Sequence, residues 1–238
     1  MNVAGKTALI TGGTKGIGYA TAIAMLEQGM SVMITGRDQE SIDKVVSELN
    51  EKYPDRIIGK AGDVSKLPDM EAITTAMTDK WPTLDVLVAN AGIGHFAKIQ
   101  DMTSDQWNET IDVNLTGVFN SVKAALPSLK SSKGYIISIA SLAGTNFFSR
   151  GAAYNASKFG LVGMTQAMMM DLRQDDIKCT TIMPGSVSTH FNGNEPNDED
   201  AWKIQPEDIG QMVVDLLKMP PRTLPSKIEV RPTKPPQK

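Results

Sequence analysis

Seven short apolar runs alternate with helical stretches from one end of the chain to the other. The runs are Thr7–Thr11, Ser31–Thr35, Ile57–Lys60, Asp85–Ala89, Tyr135–Ser141, Lys178–Met183 and Lys227–Arg231. Most are nearly continuous in Val, Ile, Leu, Ala and Thr, which is how strands buried on both faces read. Helical segments begin near Gly16, Gln39, Pro68, Ser104, Ala152 and Pro206. Strand–helix–strand alternation requires parallel pairing with right-handed crossovers. The expected fold is α/β, a doubly wound parallel sheet with helices on both faces. No Pro/Gly/Ser-rich linker and no internal repeat divides residues 1–238, so the reading is one domain. A chain of this length buries about 70% or more of its unfolded surface.

Composition narrows the partners. Apolar residues make up 41%, charged residues 21%, and the net charge is −3. Without a basic run, neither nucleic acid nor an anionic membrane is expected as a main partner. The apolar stretches are far shorter than a membrane span and residues 1–6 lack a signal-peptide pattern, so a cytoplasmic protein is expected. The single cysteine, Cys179, sits inside an apolar run and reads as a small buried hydrophobe. With only two histidines and no cysteine cluster, no metal site is expected.

The first run leads into Thr11-Gly-Gly-Thr-Lys-Gly-Ile-Gly18 and then a helix. Glycines let a backbone turn tightly and approach a pyrophosphate, whose charge suits the amides of a helix N-terminus. Gly12, Thr14, Lys15, Gly16, Ile17 and Gly18 are therefore candidate dinucleotide-binding residues, although the spacing G-x-x-x-G-x-G departs from G-x-G-x-x-G. The end of the second strand selects the dinucleotide. NAD sites carry an acid there for the ribose hydroxyls, and NADP sites replace it with a cation for the 2′-phosphate. Here Gly36 stands in the acid's place and Arg37 follows, with Lys15 as a second cation. The expected cofactor is NADP(H), with Asp38 next door as the counter-indication. After the third run come Gly62, Asp63 and Val64, and after the fourth Asn90, Ala91 and Gly92. Asp63 can accept a bond from an adenine amino group or simply turn the chain.

Tyr154 and Lys158 lie four apart in a helical segment, hence on one helix face. Ser141 ends an apolar run thirteen residues before Tyr154. A phenol has a pKa of about 10, so about one in a thousand is ionised at pH 7. An ammonium about 4 Å away, at an effective dielectric near 20, is worth roughly 4 kcal/mol, enough to lower that value by roughly three pH units. Such a pair makes a proton donor and acceptor. Asn114, in Asp112-Val-Asn-Leu-Thr-Gly117, reads either as part of this site or as a plain buried or kink-forming residue. Ser141 has no histidine at a spacing that recommends nucleophilic catalysis.

Together these residues resemble the short-chain dehydrogenase/reductase family in its single-domain, 3-oxoacyl reductase-like branch, from about Lys6 to Arg231. Residues Thr11 to Gly18 look like its cofactor loop, Asn90-Ala91-Gly92 like its N-A-G, and Pro184-Gly185-Ser-Val187-Ser-Thr189 like its P-G-x-V-x-T segment. Asn114, Ser141, Tyr154 and Lys158 match its catalytic tetrad in order. The resemblance implies seven strands in order 3-2-1-4-5-6-7. It also implies reversible, NADPH-dependent reduction of a ketone, aldehyde or 3-oxoacyl group to an alcohol. In that scheme Tyr154 exchanges the proton, Lys158 lowers the phenol's pKa and holds the nicotinamide ribose, Ser141 orients the carbonyl, and Asn114 anchors a water leading to Lys158. Pro184, Gly185, Val187 and Thr189 hold the nicotinamide end.

The segments that vary in the family are His95-Phe96, Thr145–Arg150 and a substrate loop over 186–205. Asn146, Phe147, Phe148 and Phe191 suggest a partly aromatic pocket for a small-molecule carbonyl or alcohol. His95 and His190 are further candidates for substrate contact. The resemblance further implies a homodimer or homotetramer, the dimer pairing helices over Ser104–Leu126 and Ala152–Leu172, where Met164, Met168, Met169 and Met170 serve either the seam or the core. Two departures stand out. The patch Lys130-Ser-Ser-Lys133 is weak for docking an acyl carrier protein. The last strand runs into Arg231-Pro-Thr-Lys-Pro-Pro-Gln-Lys238, so a tail over 232–238 is expected to be extended or disordered. A second functional class, an NADP-binding sensor or scaffold without turnover, keeps the same fold.

Overall fold

The computed structural model describes residues 2–235, so the last part of the expected tail, 236–238, lies outside the described residues. The strands are β1 (Thr7–Thr11), β2 (Ser31–Gly36), β3 (Ile57–Ala61), β4 (Val86–Ala89), β5 (Tyr135–Ile139), β6 (Lys178–Pro184) and β7 (Lys227–Val230). They form one sheet in the order β3-β2-β1-β4-β5-β6-β7, and every neighbouring pair is parallel. This is the doubly wound architecture expected, in the order implied.

The period of two along each strand divides the apolar residues between two cores. Ala8, Ile10, Val32, Ile34, Val86, Val88 and Ile137 face one side, where they meet helices α1 (Gly16–Glu27), α2 (Gln39–Lys52) and α7 (Pro206–Lys218). Leu9, Met33, Leu87, Ala89 and Ile136 face the other side. There they meet α3 (Leu67–Lys80), α5 (Gly117–Ser132) and α6 (Ala152–Leu172). Cys179 is one of these core residues, and burial pushes its thiol up to about 12.

The run expected to be helical from Ser104 has a break in it. Helix α4 (Ser104–Ile111), started by a capping box between Thr103 and Gln106, passes into a π turn over Asp112–Thr116 before α5 begins. A π turn inserts an extra residue into the helical ladder and redirects a side chain. Here it turns Asn114 fully inward. The substrate loop carries two short 3-10 turns, Phe191–Gly193 and Asp198–Trp202. It is tied to its own base by the Ser188 amide on the Ile204 carbonyl and the Ile204 amide on the Ser186 carbonyl. Of the methionines, Met164, Met168 and Met169 pack against the second core and Met170 stays half exposed.

Helix α1, which starts at the glycine loop, is held against α7 by a close backbone approach. A Cβ added to Gly210 would stand 2.9 Å from the Ala20 carbonyl oxygen. In an unconstrained helix Gly→Ala gains about 1 kcal/mol. Here the clash is with backbone, and overpacking of this kind costs about 1–3 kcal/mol. Gly210→Ala is therefore expected to lower the thermal unfolding midpoint by about 2–6 °C. A rise would show that α1 and α7 separate freely.

Candidate active site

In an open parallel sheet, ligands bind beyond the carboxyl ends of the strands where the chain order reverses. That reversal lies between β1 and β4. A crevice of about 1530 Å³ opens there. In the order of the strands, its lining runs from Arg37 after β2 to Arg231 and Pro232 after β7.

The turn after β1 is held open by Asn90. The Asn90 side-chain amide donates to the carbonyls of Thr11 (2.9 Å) and Gly12 (3.0 Å). The Thr11 hydroxyl accepts from the backbone amides of Asn90 and Ala91, both at 3.0 Å. Glycine is demanded here by space. A Cβ on Gly12 would sit 3.0 Å from Ala91 Cα, and one on Gly18 only 2.2 Å from the Gly12 oxygen. Gly12 and Gly16 also have φ of +66° and +57°. Helix α1 begins after Lys15 with no side-chain cap and no acidic residue in its first turn. Its first amides are thus left for an anion.

Across the crevice, Ser141 ends the β5 segment and its Oγ accepts from the Ala143 amide at 3.1 Å. Asn155 fixes this loop on α6 by donating to the carbonyls of Ala143 (2.7 Å) and Asn146 (2.8 Å). Tyr154 and Lys158, a helical turn apart, both line the crevice with Ser141. The Lys158 ammonium is buried, lies 5.7 Å from the Tyr154 ring centre and donates to the Ile139 carbonyl at 3.1 Å. Burial lowers Lys158 to about 8. The phenol is raised above its ordinary value, because burial outweighs the opposing hydrogen bond with Ser141. This corrects the expectation that Lys158 lowers the phenol. In this arrangement the ammonium is itself desolvated, with one of its donors on the Ile139 carbonyl.

Asn114 is held through both ends of its side-chain amide. Its Oδ1 accepts from the Ile93 amide at 2.8 Å, and its Nδ2 donates to the Ile93 carbonyl (2.9 Å) and the Ser157 hydroxyl (3.0 Å). Both amide hydrogens are committed to protein, so the side chain clamps the loop after β4 to α6. The buried, kink-forming reading is realised, since the π turn is what aims the side chain inward.

Of the candidate cofactor residues, Gly12, Thr14, Lys15, Gly16, Ile17, Arg37, Asn90, Ala91, Gly92, Pro184, Gly185, Val187 and Thr189 line the crevice with Tyr154 and Lys158. Gly18, Asp63 and Val64 do not line it. Gly18 serves the close approach to Gly12. Asp63 makes the turn after β3: its Oδ1 accepts from the Ser65 amide (2.9 Å) and hydroxyl (2.8 Å). Burial would raise its pKa, but those bonds and the charges of Lys66 and Arg37 bring it below the usual carboxylate range. Val64 is buried and its carbonyl accepts from Asn120 at 3.0 Å.

Sequence reasoning missed two contributors, Glu109 and Pro232, and named a third, Phe96, only as part of a variable segment. Glu109 on α4 lines the crevice and contacts both Arg37 and His95. Phe96 stands 5.4 Å from the Tyr154 ring, part of a cluster with Phe148 and Phe191. Pro232 bounds the crevice beside Gly185, so the tail begins as a wall of the site. Only Phe96 had a signal, its place after the fourth strand.

The family model described as short chain dehydrogenase matches residues 6–200. The chain belongs to the short-chain dehydrogenase family. It is 32% identical over 228 residues to an uncharacterized oxidoreductase of Staphylococcus aureus (strain MRSA252), covering 95% of this chain and 97% of the relative. Among solved structures it resembles an alcohol dehydrogenase from Thermococcus sibiricus complexed with 5-hydroxy-NADP, with TM-score 0.91, 28% identity, and 98% and 99% of the two chains covered. It also resembles a 3-ketoacyl-(acyl-carrier-protein) reductase from Brucella melitensis complexed with NADH, with TM-score 0.87, 26% identity, and 97% and 98% covered. The chain is thus a family oxidoreductase, and the residues present fit a nicotinamide dinucleotide: an uncapped helix end, a glycine cradle without room for Cβ atoms, and a crevice leading to Tyr154. No helix among the described residues is long and apolar enough to cross a membrane.

Burying Lys158 has a measurable consequence. The unfolded chain holds this proton up to about pH 10.5 and the folded chain only to about 8. Between those values the unfolded state binds more protons, so stability rises with pH. The stability of the wild type relative to Lys158→Met is therefore expected to climb by on the order of 3 kcal/mol from pH 8 to 10.5. Denaturant melts across that range check it, and a flat difference would mean that the ammonium is solvated.

Proposed function

We propose that this oxidoreductase is an NADPH-dependent reductase of a small ketone, aldehyde or 3-oxoacyl carbonyl, acting reversibly on the alcohol. The observation carrying this reading is that Ser141, Tyr154 and Lys158 share one crevice with the glycine turn and the two cations Lys15 and Arg37. The bound cofactor supplies the hydride. The rest is the protein's work.

In this reading Gly12, Thr14, Gly16 and Ile17 hold the pyrophosphate at the start of α1, and Asn90, Ala91 and Gly92 carry the floor. Pro184, Gly185, Val187 and Thr189 hold the nicotinamide end. Lys15 and Arg37 bind the 2′-phosphate, since Gly36 leaves no acid for a ribose diol. Known structures with this fold hold both kinds of dinucleotide, so Arg37 is what favours the phosphorylated one. Ser141 donates to the carbonyl oxygen and orients it. Tyr154, kept protonated by its surroundings, gives its proton to that oxygen as charge develops. Lys158 replenishes the phenol from its own proton, which a depressed pKa near 8 makes available. In the alcohol-oxidising direction the same phenol must first ionise, so that direction requires higher pH.

Phe96, Phe148 and Phe191 around Tyr154 favour an apolar or aromatic substituent beside the carbonyl. Lys130 and Lys133, which would greet an acidic carrier protein, are engaged by Asp175 and Asp176. That favours a free small molecule over a carrier-bound one.

Two substitutions test the reading together. Tyr154→Phe is expected to reduce NADPH-linked turnover of a reactive aromatic ketone by at least about a hundredfold while cofactor affinity stays within a few-fold. Arg37→Ala is expected to weaken NADPH binding far more than NADH binding. Retained turnover in the first would remove the phenol from the chemistry; equal losses in the second would remove the phosphate from Arg37.

A homodimer is part of the same proposal. Phe119 on α5 and Phe159 and Met170 on α6 are about half exposed on outward helix faces. An aromatic–methionine face of this kind is suited to a seam between copies. Phe159→Glu is expected to convert the dimer to a monomer in light scattering, and an unchanged mass would place the contact elsewhere.

A further inference from the structure

The cation at the mouth of the crevice already has an anion. Arg37 Nη1 lies 3.8 Å from Glu109 Oε1, and the other carboxylate oxygen lies 2.7 Å from His95 Nε2. All three side chains line the crevice, and they come from three different elements: the turn after β2, α4, and the loop after β4. Glu109 therefore reaches across the reversal between β1 and β4 to meet a residue two strands away.

We infer that Glu109 is a cofactor-specificity residue: it competes with the dinucleotide's 2′-phosphate for Arg37 and so narrows the preference for NADPH over NADH. This rests on the reading of Arg37 given above. A guanidinium presents five donors in one plane and binds phosphate or carboxylate through the same fork. The carboxylate already faces the guanidinium that a 2′-phosphate bound by Arg37 would have to approach. A 2′-phosphate must displace it and then tolerate a like charge nearby, whereas a ribose hydroxyl carries no charge and needs neither step. His95 decides how much is lost. Its bond to Oε2 keeps the carboxylate at the crevice mouth instead of letting it swing out into solvent. The acid missing from the end of β2 is thus partly replaced by one supplied from α4.

Specificity is a difference of affinities, and an element that weakens one ligand sets it as surely as one that strengthens the other. Because Arg37 and Glu109 are both substantially exposed, solvent screening keeps the effect modest.

The test uses Glu109→Gln, which keeps the shape and a polar contact for His95 while removing the charge. Dissociation constants for NADPH and NADH are measured by cofactor fluorescence in four proteins: wild type, Glu109→Gln, Arg37→Ala and the double variant. Glu109→Gln is expected to tighten NADPH about three- to tenfold at low salt, to shrink that gain at high salt, and to leave NADH within about twofold. In the Arg37→Ala background the gain is expected to fall away, since the contested cation is gone. An unchanged or weakened NADPH constant, a parallel shift for both cofactors, or a gain that persists without Arg37 would overturn the inference. If Arg37→Ala by itself fails to separate the two cofactors, the fault lies in the assignment of the 2′-phosphate to Arg37. If it separates them and Glu109→Gln does nothing, only the role of Glu109 falls.

Discussion

The site depends on the seam between β1 and β4, where the order of strands reverses and two neighbouring turns diverge. A reversal of this kind exposes the carboxyl ends of strands, whose carbonyls and amides have lost their neighbours. The four bonds joining Thr11 and Gly12 to Asn90 and Ala91 satisfy those groups and fix the distance between the two turns. Buried polar groups must find such partners or cost stability. With the bonds made, the glycine turn cannot collapse onto β4 and the crevice stays open. Everything else in the site is registered to this seam. Gly92 comes two residues after Asn90, Asn114 clamps the next residue, Ile93, and through Ser157 that clamp reaches the helix carrying Tyr154 and Lys158.

That chain of contacts explains why a charged lysine is tolerated in the interior. An isolated ammonium in a protein interior is expensive, and it responds by giving up its proton more readily. Lys158 has one carbonyl as partner and accordingly sits near 8 rather than near 10.5. The same burial drives the phenol the opposite way, because its charged form is the anion. The ligand-free arrangement therefore holds a protonated phenol beside an easily deprotonated amine. On the proposed reading that is the resting state of a proton donor with its reserve behind it, poised for reduction.

The fold was legible because buried parallel strands leave continuous apolar runs, and each of the seven runs lies on a strand to within a residue or two. Gly16 and Gln39 mark their helix starts for the same local reason, a glycine turn in one case and Asp38 capping Ser41 in the other. Ser141, Tyr154 and Lys158 were legible because a strand end and a helical turn have fixed geometry. What could not be read was whatever needs two distant segments at once. Asp63 kept its local bonds to Ser65 and stayed out of the crevice, a competition that composition does not display. The π turn was visible only as a polar residue in a mixed helix. Glu109 is seventy-two residues from Arg37, and no period or spacing connects a carboxylate on one helix to a guanidinium after another strand.

The electrostatics of the two regions then differ in kind, and the difference bears on what the protein is selective about. Near Tyr154 the walls are aromatic rings at 5.4 to 6.4 Å from one another, with the buried Lys158 ammonium behind them. Rings of this sort reward apolar area broadly and discriminate weakly between similar shapes, a missing methylene being worth only about 1–3 kcal/mol. At Arg37 the opposite holds: high exposure and a local balance of charges, with Glu109 in ion-pair contact and Asp63 within reach of the guanidinium's field. On the proposed reading, a site so arranged is broad toward carbonyl compounds while its choice of cofactor turns on the few charges around Arg37. A change of substrate would then act on Phe96, Phe148 and Phe191 and leave Lys15 and Arg37 in place, because the ring cluster and the two cations stand on different segments of the chain.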